Sequence, residues 1–556
     1  MTSQPAEAPQ PSRVLFPAIL AVTALLCLFE IAWFWRYCGR NITADAISYI
    51  GLARHLLDGH FIASLHGWWS PLISWLIAAA GLSFPDLTFA GHLVTIATLL
   101  ALFPLVYWLS YRLWKSQLAA AIATLWFALA RGVVAMGVCS ILADFLLTGI
   151  VCVYFILLLK SLRDDRPRNW LLLGAAHSAA FLAKAIAMPW LALTTLLAVL
   201  LTYGKSWRRF AAAALLALLL PACAWLGYGS LLKLKYGYFT TGYQLRNNLI
   251  VDSRRHLHPP DPYQFSESSH IYDQYLVTEV PQPELRAFRV LNPGLFPILL
   301  RNESRNLPEA VKQVIILLTP GGVLCLLLVL WRLYRYRDRF PTEFRFVVLA
   351  IFSSATLLLT YCMLAFDTRY VLPLVPVLMA VGTLPLGTGT GEFDPLYLGP
   401  GLRKMLLVLL AAGALFFQLY WASPFRTMNR DFESACYNGA RELQRRQPEG
   451  KTLVTVGEGP FPDQGVGREA GIYTAYFAGR SIVGLNVALP DAAAIPDLSE
   501  KISACHANAV LIWGDPASGR YRLLLETLAR SFPVESSAPI TDPQKGEVGT
   551  ILFAQR

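Results

Sequence analysis

Runs of about 20 consecutive apolar residues recur through most of the chain, and such runs fold as helices that cross a bilayer. A spanning segment must satisfy its own backbone hydrogen bonds, which leaves α-helices and closed barrels. Here the runs are continuous and do not alternate polar with apolar, which argues against a β-barrel. Composition agrees, with 55% hydrophobic and 15% charged residues, where a soluble domain carries about 25% charged. A soluble enzyme, a disordered protein and a disulfide-rich secreted module are ruled out.

The polar, proline-rich start (1–13) reads as a disordered cytoplasmic tail. A retained first span follows at 14–35, with no small-residue cleavage site behind it. Further spans are placed at 89–110, 117–133, 140–159, 170–183, 187–203, 210–232, 312–331, 346–364, 371–386 and 404–421. Those at 170–183 and 187–203 are short enough to form one re-entrant pair. The expected fold class is mainly α: a polytopic membrane protein of about eleven transmembrane helices, with a small extracytoplasmic α/β domain at its C-terminus.

Charge orients these spans. Arg112 and Lys115, then Lys160, Arg163, Arg166 and Arg168, then Lys205, Arg208 and Arg209, then Arg332, Arg335, Arg337 and Arg339 fall in alternate loops. By the positive-inside rule these loops and the N-terminus are cytoplasmic. Residues 422–556 hold 14 basic and 15 acidic side chains of the 47 and 36 in the chain, leaving 33 against 21 before them. The basic surplus therefore belongs to the membrane part (14–421) and reads as topology signal and lipid-headgroup contact. No nucleic-acid partner is expected.

Three larger pieces fall on the other side: the loops 36–88 and 233–311, and the region 422–556. An even span count would instead place the last of these inside. KTLVTVG (451–457), GRSIVGLNV (479–487) and NAVLIWGD (508–515) read as strands, and 433–446 and 521–532 as helices, which makes 422–556 an α/β unit. Cys436 and Cys505 would form a disulfide if that unit is exported, or stay two buried thiols.

Ionisable residues at the ends of apolar spans are expensive to bury and become candidate sites. Four segments carry them. In 41–81, Thr43 caps a helix from about Ala44, so that Asp45 and Tyr49 share a face. Gly59 ends that helix, and Trp68-Trp69-Ser70-Pro71 opens a second amphipathic segment. Asp144 lies just inside a span, Lys184 lies between two short ones, and Asp367, Arg369 and Tyr370 cluster where one span returns as the next. Three have a plain structural alternative: a helix-dipole partner for Asp45, a snorkelling or capping carboxylate for Asp144, a local ion pair for Asp367–Arg369. Yet all four segments map to one membrane face. Together they make an anion-binding cavity with a candidate base, suited to displacing a phosphate leaving group by a hydroxyl. Tyr49, His66, Trp68, Trp69 and Tyr370 are the substrate-contact candidates, the aromatic ones offering faces to a sugar or an isoprenoid.

The order DAISYIGLARHLLDG, WSPLISWLIA, ILADFLLTG, LAK and RYVLPLVP resembles the GT-C superfamily of integral-membrane glycosyltransferases. Within it the resemblance is to the bacterial protein-mannosyltransferase and aminoarabinose-transferase branch. It covers about 30–420 together with a C-terminal extracytoplasmic domain. The resemblance implies a polyprenyl-phosphate-linked sugar donor and a lipid, glycan or protein acceptor, met at the outer leaflet of the cell (inner) membrane. It implies Asp45 as the catalytic base, Asp144 as its assistant, and Lys184 and Arg369 as holders of the donor phosphate. Two departures matter. Ala46 stands where many relatives carry a second acid, so no metal is expected. Trp68-Trp69-Ser70 lacks the acid–Lys pair of the aminoarabinose branch, so lipid A and aminoarabinose are not expected as substrates. The segment 242–265, rich in His, Arg and aromatic residues, is a candidate cover for the acceptor site.

Two other readings use the same charges. A transporter or flippase of a lipid-linked substrate predicts an internal repeat, and no convincing one is present. A non-catalytic subunit of an envelope-glycan assembly is kept open by the missing second acid.

Overall fold

The computed structural model describes residues 12–38, 42–242, 265–267, 296–364, 366–387, 396–422, 428–447, 452–457, 467–485, 500, 507–532, 534–542 and 546–554. Within them the apolar runs are helices, as a chain in hydrocarbon requires. Helices α1 (Ser12–Cys38), α4 (Leu87–Trp114), α7 (Ala143–Arg163), α10 (Trp207–Tyr236), α11 (Phe296–Arg335) and α12 (Pro341–Leu364) contain stretches long and apolar enough to span a bilayer. Between them lie α2 (Ala44–Leu57), α3 (Pro71–Gly81), α5 (Gln117–Leu129), α6 (Arg131–Cys139), α8 (Pro167–Ala183) and α9 (Ala187–Tyr203). Helices α13 (Val375–Gly382) and α14 (Pro400–Ala422) complete the membrane part.

Three expected spans differ in form. The run 117–133 breaks at Ala130, where α5 and α6 meet at 60°. The run 312–331 belongs to a 40-residue helix, α11, with a kink at Thr319 just before Pro320. That proline cannot continue the hydrogen-bond ladder. The run 371–386 is only a short helix, α13, between two 3₁₀ turns. Pro373, Pro376 and Pro385 punctuate it, and each lacks the amide a long helix would need. Buried polar contacts hold this short helix in place. The Trp114 indole donates to the Ala380 carbonyl at 2.9 Å, and Ser110 and Thr383 hydroxyls lie 3.0 Å apart. On the neighbouring side the Trp190 indole donates to Ser353 O at 2.7 Å, joining α9 to α12.

The C-terminal part contains α15 (Met428–Arg446), α16 (Gly467–Ala478) and α17 (Gly519–Ser531) around a sheet. Its strands are β1 (Phe265–Glu267), β2 (Thr452–Gly457), β3 (Ser481–Leu485), β4 (Ala509–Trp513), β5 (Val534–Asp542) and β6 (Gly546–Ala554), in the order β1-β3-β2-β4-β6-β5. Strands β2, β3 and β4 run parallel and coincide with the three expected strands. The β5–β6 hairpin is an addition, hidden in the sequence by Pro539 and by Gly546 and Gly549, which blur the alternation. Strand β1 comes from the long loop 233–311 and pairs antiparallel with β3. One apolar cluster joins Ile47, Ile50 and Ile73 of α2 and α3 to Tyr473, Leu511 and Trp513 of the C-terminal part. Helices α2 and α3, strand β1 and the C-terminal part therefore lie on one side of the membrane helices. The tail 1–11, most of the segment 242–265 and Cys505 of the expected Cys436–Cys505 pair lie outside the described residues.

Candidate active site

The site begins with a helix start. Thr43 is extended, and its hydroxyl accepts the amide of Ala46 at 3.2 Å, so α2 opens one residue before Asp45. Asp45 thus sits in the first turn, where the helix dipole favours a carboxylate. A dipole partner needs nothing else. Asp45 nevertheless reaches Arg369, 324 residues away in sequence, and its carboxylate accepts from the guanidinium.

Asp144 occupies the first turn of α7, whose N-cap residue Leu142 provides no side-chain cap. Its carboxylate is almost fully buried and accepts from Lys184 Nζ at 2.5 Å. Lys184 is the C-cap of α8. Each charge therefore sits at the helix end whose dipole favours it, and the two helix ends meet through the pair.

Arg369 is placed by a 3₁₀ turn, Thr368–Val371, with Asp367 as its cap. Asp367 Oδ1 accepts the Arg369 amide at 3.1 Å, and its Oδ2 lies 3.2 Å from Arg369 Nε. The expected local pair is present, and Arg369 bridges from it to Asp45. Tyr370 stacks on Tyr361 of α12 with centroids 4.0 Å apart and planes 10° apart. Lys184 Nζ stands 4.4 Å from the Tyr370 centroid and 5.5 Å from that of Tyr361, while the Arg369 guanidinium carbon lies 5.4 Å from the Tyr370 centroid. Attraction between cation and ring faces thus links Asp144–Lys184 to Asp45–Arg369. Tyr361 is buried, and its hydroxyl has no hydrogen-bond partner among the described residues. Sequence reasoning missed it, because a tyrosine inside an apolar span carries no charge to mark it. The cluster holds three carboxylates and two cations.

The remaining candidates lie on α2 and in the segment that leads to α3. Tyr49 and Trp69 are buried and meet edge to face at 5.1 Å, bonding α2 to the entry of α3, and Trp68 is only partly buried. His66 is buried in the connecting loop. Its Nδ1 accepts the Trp68 amide at 3.1 Å and its carbonyl accepts from the Tyr228 hydroxyl at 2.8 Å. Burial, reinforced by nearby Lys235, pushes the His66 imidazole down to about 3. His66 is thus a neutral part of the clamp between loop and α10.

No family model matches the chain, and no curated protein does. Among solved structures it is similar to ArnT from Cupriavidus metallidurans in the apo state. The TM-score is 0.50 at 14% identity, over 97% of each chain. The fold is ArnT-like. A second ArnT structure, bound to undecaprenyl phosphate, has a TM-score of 0.49 at 14% identity over 98% of each chain. The likeness to apo ArnT is one of fold, and it agrees with the GT-C resemblance carried by the sequence motifs.

Proposed function

We propose that the chain is a membrane glycosyltransferase. It moves a sugar from a polyprenyl-phosphate-linked donor to an acceptor hydroxyl on the extracytoplasmic side of the cell membrane. The observation that carries this reading is the convergence of Asp45, Asp144, Lys184 and Arg369, from four separate elements, on one cluster. The ArnT-like fold supports it.

In this reading Asp45 takes the proton of the acceptor hydroxyl as its oxygen bonds to the anomeric carbon. The bond from that carbon to the phosphate oxygen breaks, and polyprenyl phosphate leaves with the electron pair. Lys184 and Arg369 hold the departing phosphate, for which a guanidinium fork is well matched. Both cations are paired to carboxylates in the structure. A phosphate arriving between them competes for those contacts and loosens Asp45 from Arg369, so the base is released when the donor is in place. The Tyr361 hydroxyl, without a partner among the described residues, offers a donor to the sugar or phosphate. Asp144 keeps Lys184 aimed at the site.

Two observations support an extracytoplasmic site. The basic loops lie at the opposite helix ends. Cys139, five residues before Asp144, is disulfide-bonded, and disulfides persist in oxidising compartments. Asp45→Asn in the purified, reconstituted protein is expected to lower kcat at least about 100-fold, the scale of a lost general base, with donor binding retained. Release of polyprenyl phosphate from synthetic polyprenyl-phosphate sugars is the assay, and near-normal turnover would overturn the base assignment. We assign no role to a divalent ion, because Asp45 has Arg369 as its partner and Ala46 as its neighbour. Treatment with EDTA is expected to leave turnover unchanged. A loss that Mg²⁺ restores would contradict this. The closed ion pairs also favour a second reading, a non-catalytic subunit in which they are structural. No donor turnover by the intact protein, with any polyprenyl-phosphate sugar, would favour it.

A further inference from the structure

The two helices that bring Asp144 and the Asp45 loop together have their other ends about 30 Å away, the length of the 21-residue α7. There, α4 and α7 enclose a cavity of about 380 Å³, within the range of small-ligand pockets. Arg112, Lys115, Lys160 and Arg163 line it with Trp108 and Leu157.

Arg163 has an evident structural task. Its guanidinium donates to the Arg112 carbonyl at 2.5 Å and the Leu113 carbonyl at 3.2 Å, and pairs with Glu343 at 2.5 Å. It covers the free carbonyls at the end of α4. The other three cations are different. Among the described residues Arg112, Lys115 and Lys160 have no carboxylate partner, and the Asp164 carboxylate at the rim pairs with Arg166. Burial, then Arg163 and Arg112, hold the Lys115 ammonium below its ordinary value, with Glu343 acting in the opposite sense. Positive charge is thus crowded at this spot beyond what the protein neutralises. Trp108 is nearly half exposed, and the Arg112 guanidinium carbon lies 5.3 Å from its ring centroid. An exposed indole at a helix end marks headgroup depth. Ile156 and Leu157 complete an apolar wall.

We infer that this cavity binds the phosphate of an anionic phospholipid of the leaflet opposite the acid cluster, with Arg112, Lys115 and Lys160 on the phosphate and Trp108 and Leu157 beside the glycerol and first methylenes. The shared chemistry is a phosphate anion, and the apolar wall at headgroup depth favours the lipid as its source over free phosphate. The simpler account gives Arg112 and Lys160 only the task of complementing the helix C-termini.

The test uses the full chain in nanodiscs of phosphatidylcholine containing increasing phosphatidylglycerol. Bound lipid is counted by native mass spectrometry, and phosphate is titrated separately. Lys115→Gln/Lys160→Gln is expected to weaken phosphatidylglycerol retention about 30-fold, from about 1 kcal/mol per basic side chain near an anionic surface. Arg208→Gln/Arg209→Gln removes the same charge from the same face outside the cavity. Arg208 and Arg209 do not line the cavity, so their loss is expected to weaken retention clearly less than loss of the Lys115 and Lys160 charges. Equal losses in the two variants would overturn the site and leave only general surface charge. So would equal retention of phosphatidylcholine. Saturable binding of inorganic phosphate through Lys115 and Lys160, without preference for phosphatidylglycerol, would overturn the lipid as the source.

Discussion

Asp144 and Lys184 are 40 residues apart in the chain and 2.5 Å apart in space. A buried pair of this kind contributes little net stability over an apolar pair, because both charges lose their water. Losing one partner is costly, since the other charge stays buried alone. Lys184→Met is therefore expected to destabilise the membrane part by about 3–5 kcal/mol. Asp144→Asn/Lys184→Met should recover a large share of it. Melting of the two variants and the parent protein in one detergent checks this, and equal losses in the single and double variants would show that the pair is not coupled. The charges of this pair were legible in the sequence as costly groups near span ends. Their pairing was not, because the sequence holds no distance between α7 and the turn after α8.

At the scale of the element, the loop between α2 and α3 carries the weight. Gly59, at a φ of +79°, lets the chain leave α2 in a left-handed conformation that other residues resist. Lys235 on α10 donates to the Ala63 carbonyl at 2.9 Å and to that of Leu65, and the Gly67 amide donates to the Tyr236 hydroxyl at 3.2 Å. His66 sits inside this clamp with its imidazole held near 3, below the ordinary 6.5. A histidine shifted down binds its proton more weakly folded than unfolded. Its folded form is therefore undiminished above about 6.5, and stability falls as pH drops from there toward about 3. The slope approaches about 1.4 kcal/mol per pH unit. His66→Asn should flatten the acid limb of a melting-versus-pH curve, and superimposable curves would exclude His66 as the titrating group. The helix start at Thr43, the stop at Gly59 and the restart at Pro71 were all readable from local chemistry. The clamp by α10 was not, because it joins residues about 170 positions apart.

At the scale of the molecule, the C-terminal part is seated on the helices that carry Asp45. The Tyr476 hydroxyl of α16 and the Thr88 hydroxyl of α4 lie 2.8 Å apart, at the edge of the shared apolar cluster. Burial holds the Tyr476 phenol above its ordinary value, so it stays a neutral hydroxyl in this contact. Tyr476→Phe is expected to loosen the seat by about 1 kcal/mol, or about fivefold in local opening. Hydrogen exchange across 44–57 should quicken by that factor, and unchanged exchange there would detach the contact from the stability of α2. A C-terminal part placed this way restrains the helix that presents the candidate base. Its strand β1, drawn from a loop some 200 residues earlier, ties a second outer segment into the same body.

The sequence by itself determined the helical membrane class, the alternation of basic loops, three strands of the C-terminal part and the four charged residues worth attention. Each of these rests on a local property: the length of an apolar run, the sign of nearby charge, the alternation of a strand, the cost of burying an ion. Tertiary structure decided the rest. It broke the run at Ala130, reduced 371–386 to a short helix between proline-marked turns, and brought Tyr361 beneath Tyr370. It also gave Asp45 to Arg369 and Asp144 to Lys184. Which cation meets which carboxylate depends on where helix ends converge, and that is fixed by the packing of elements far apart in the chain.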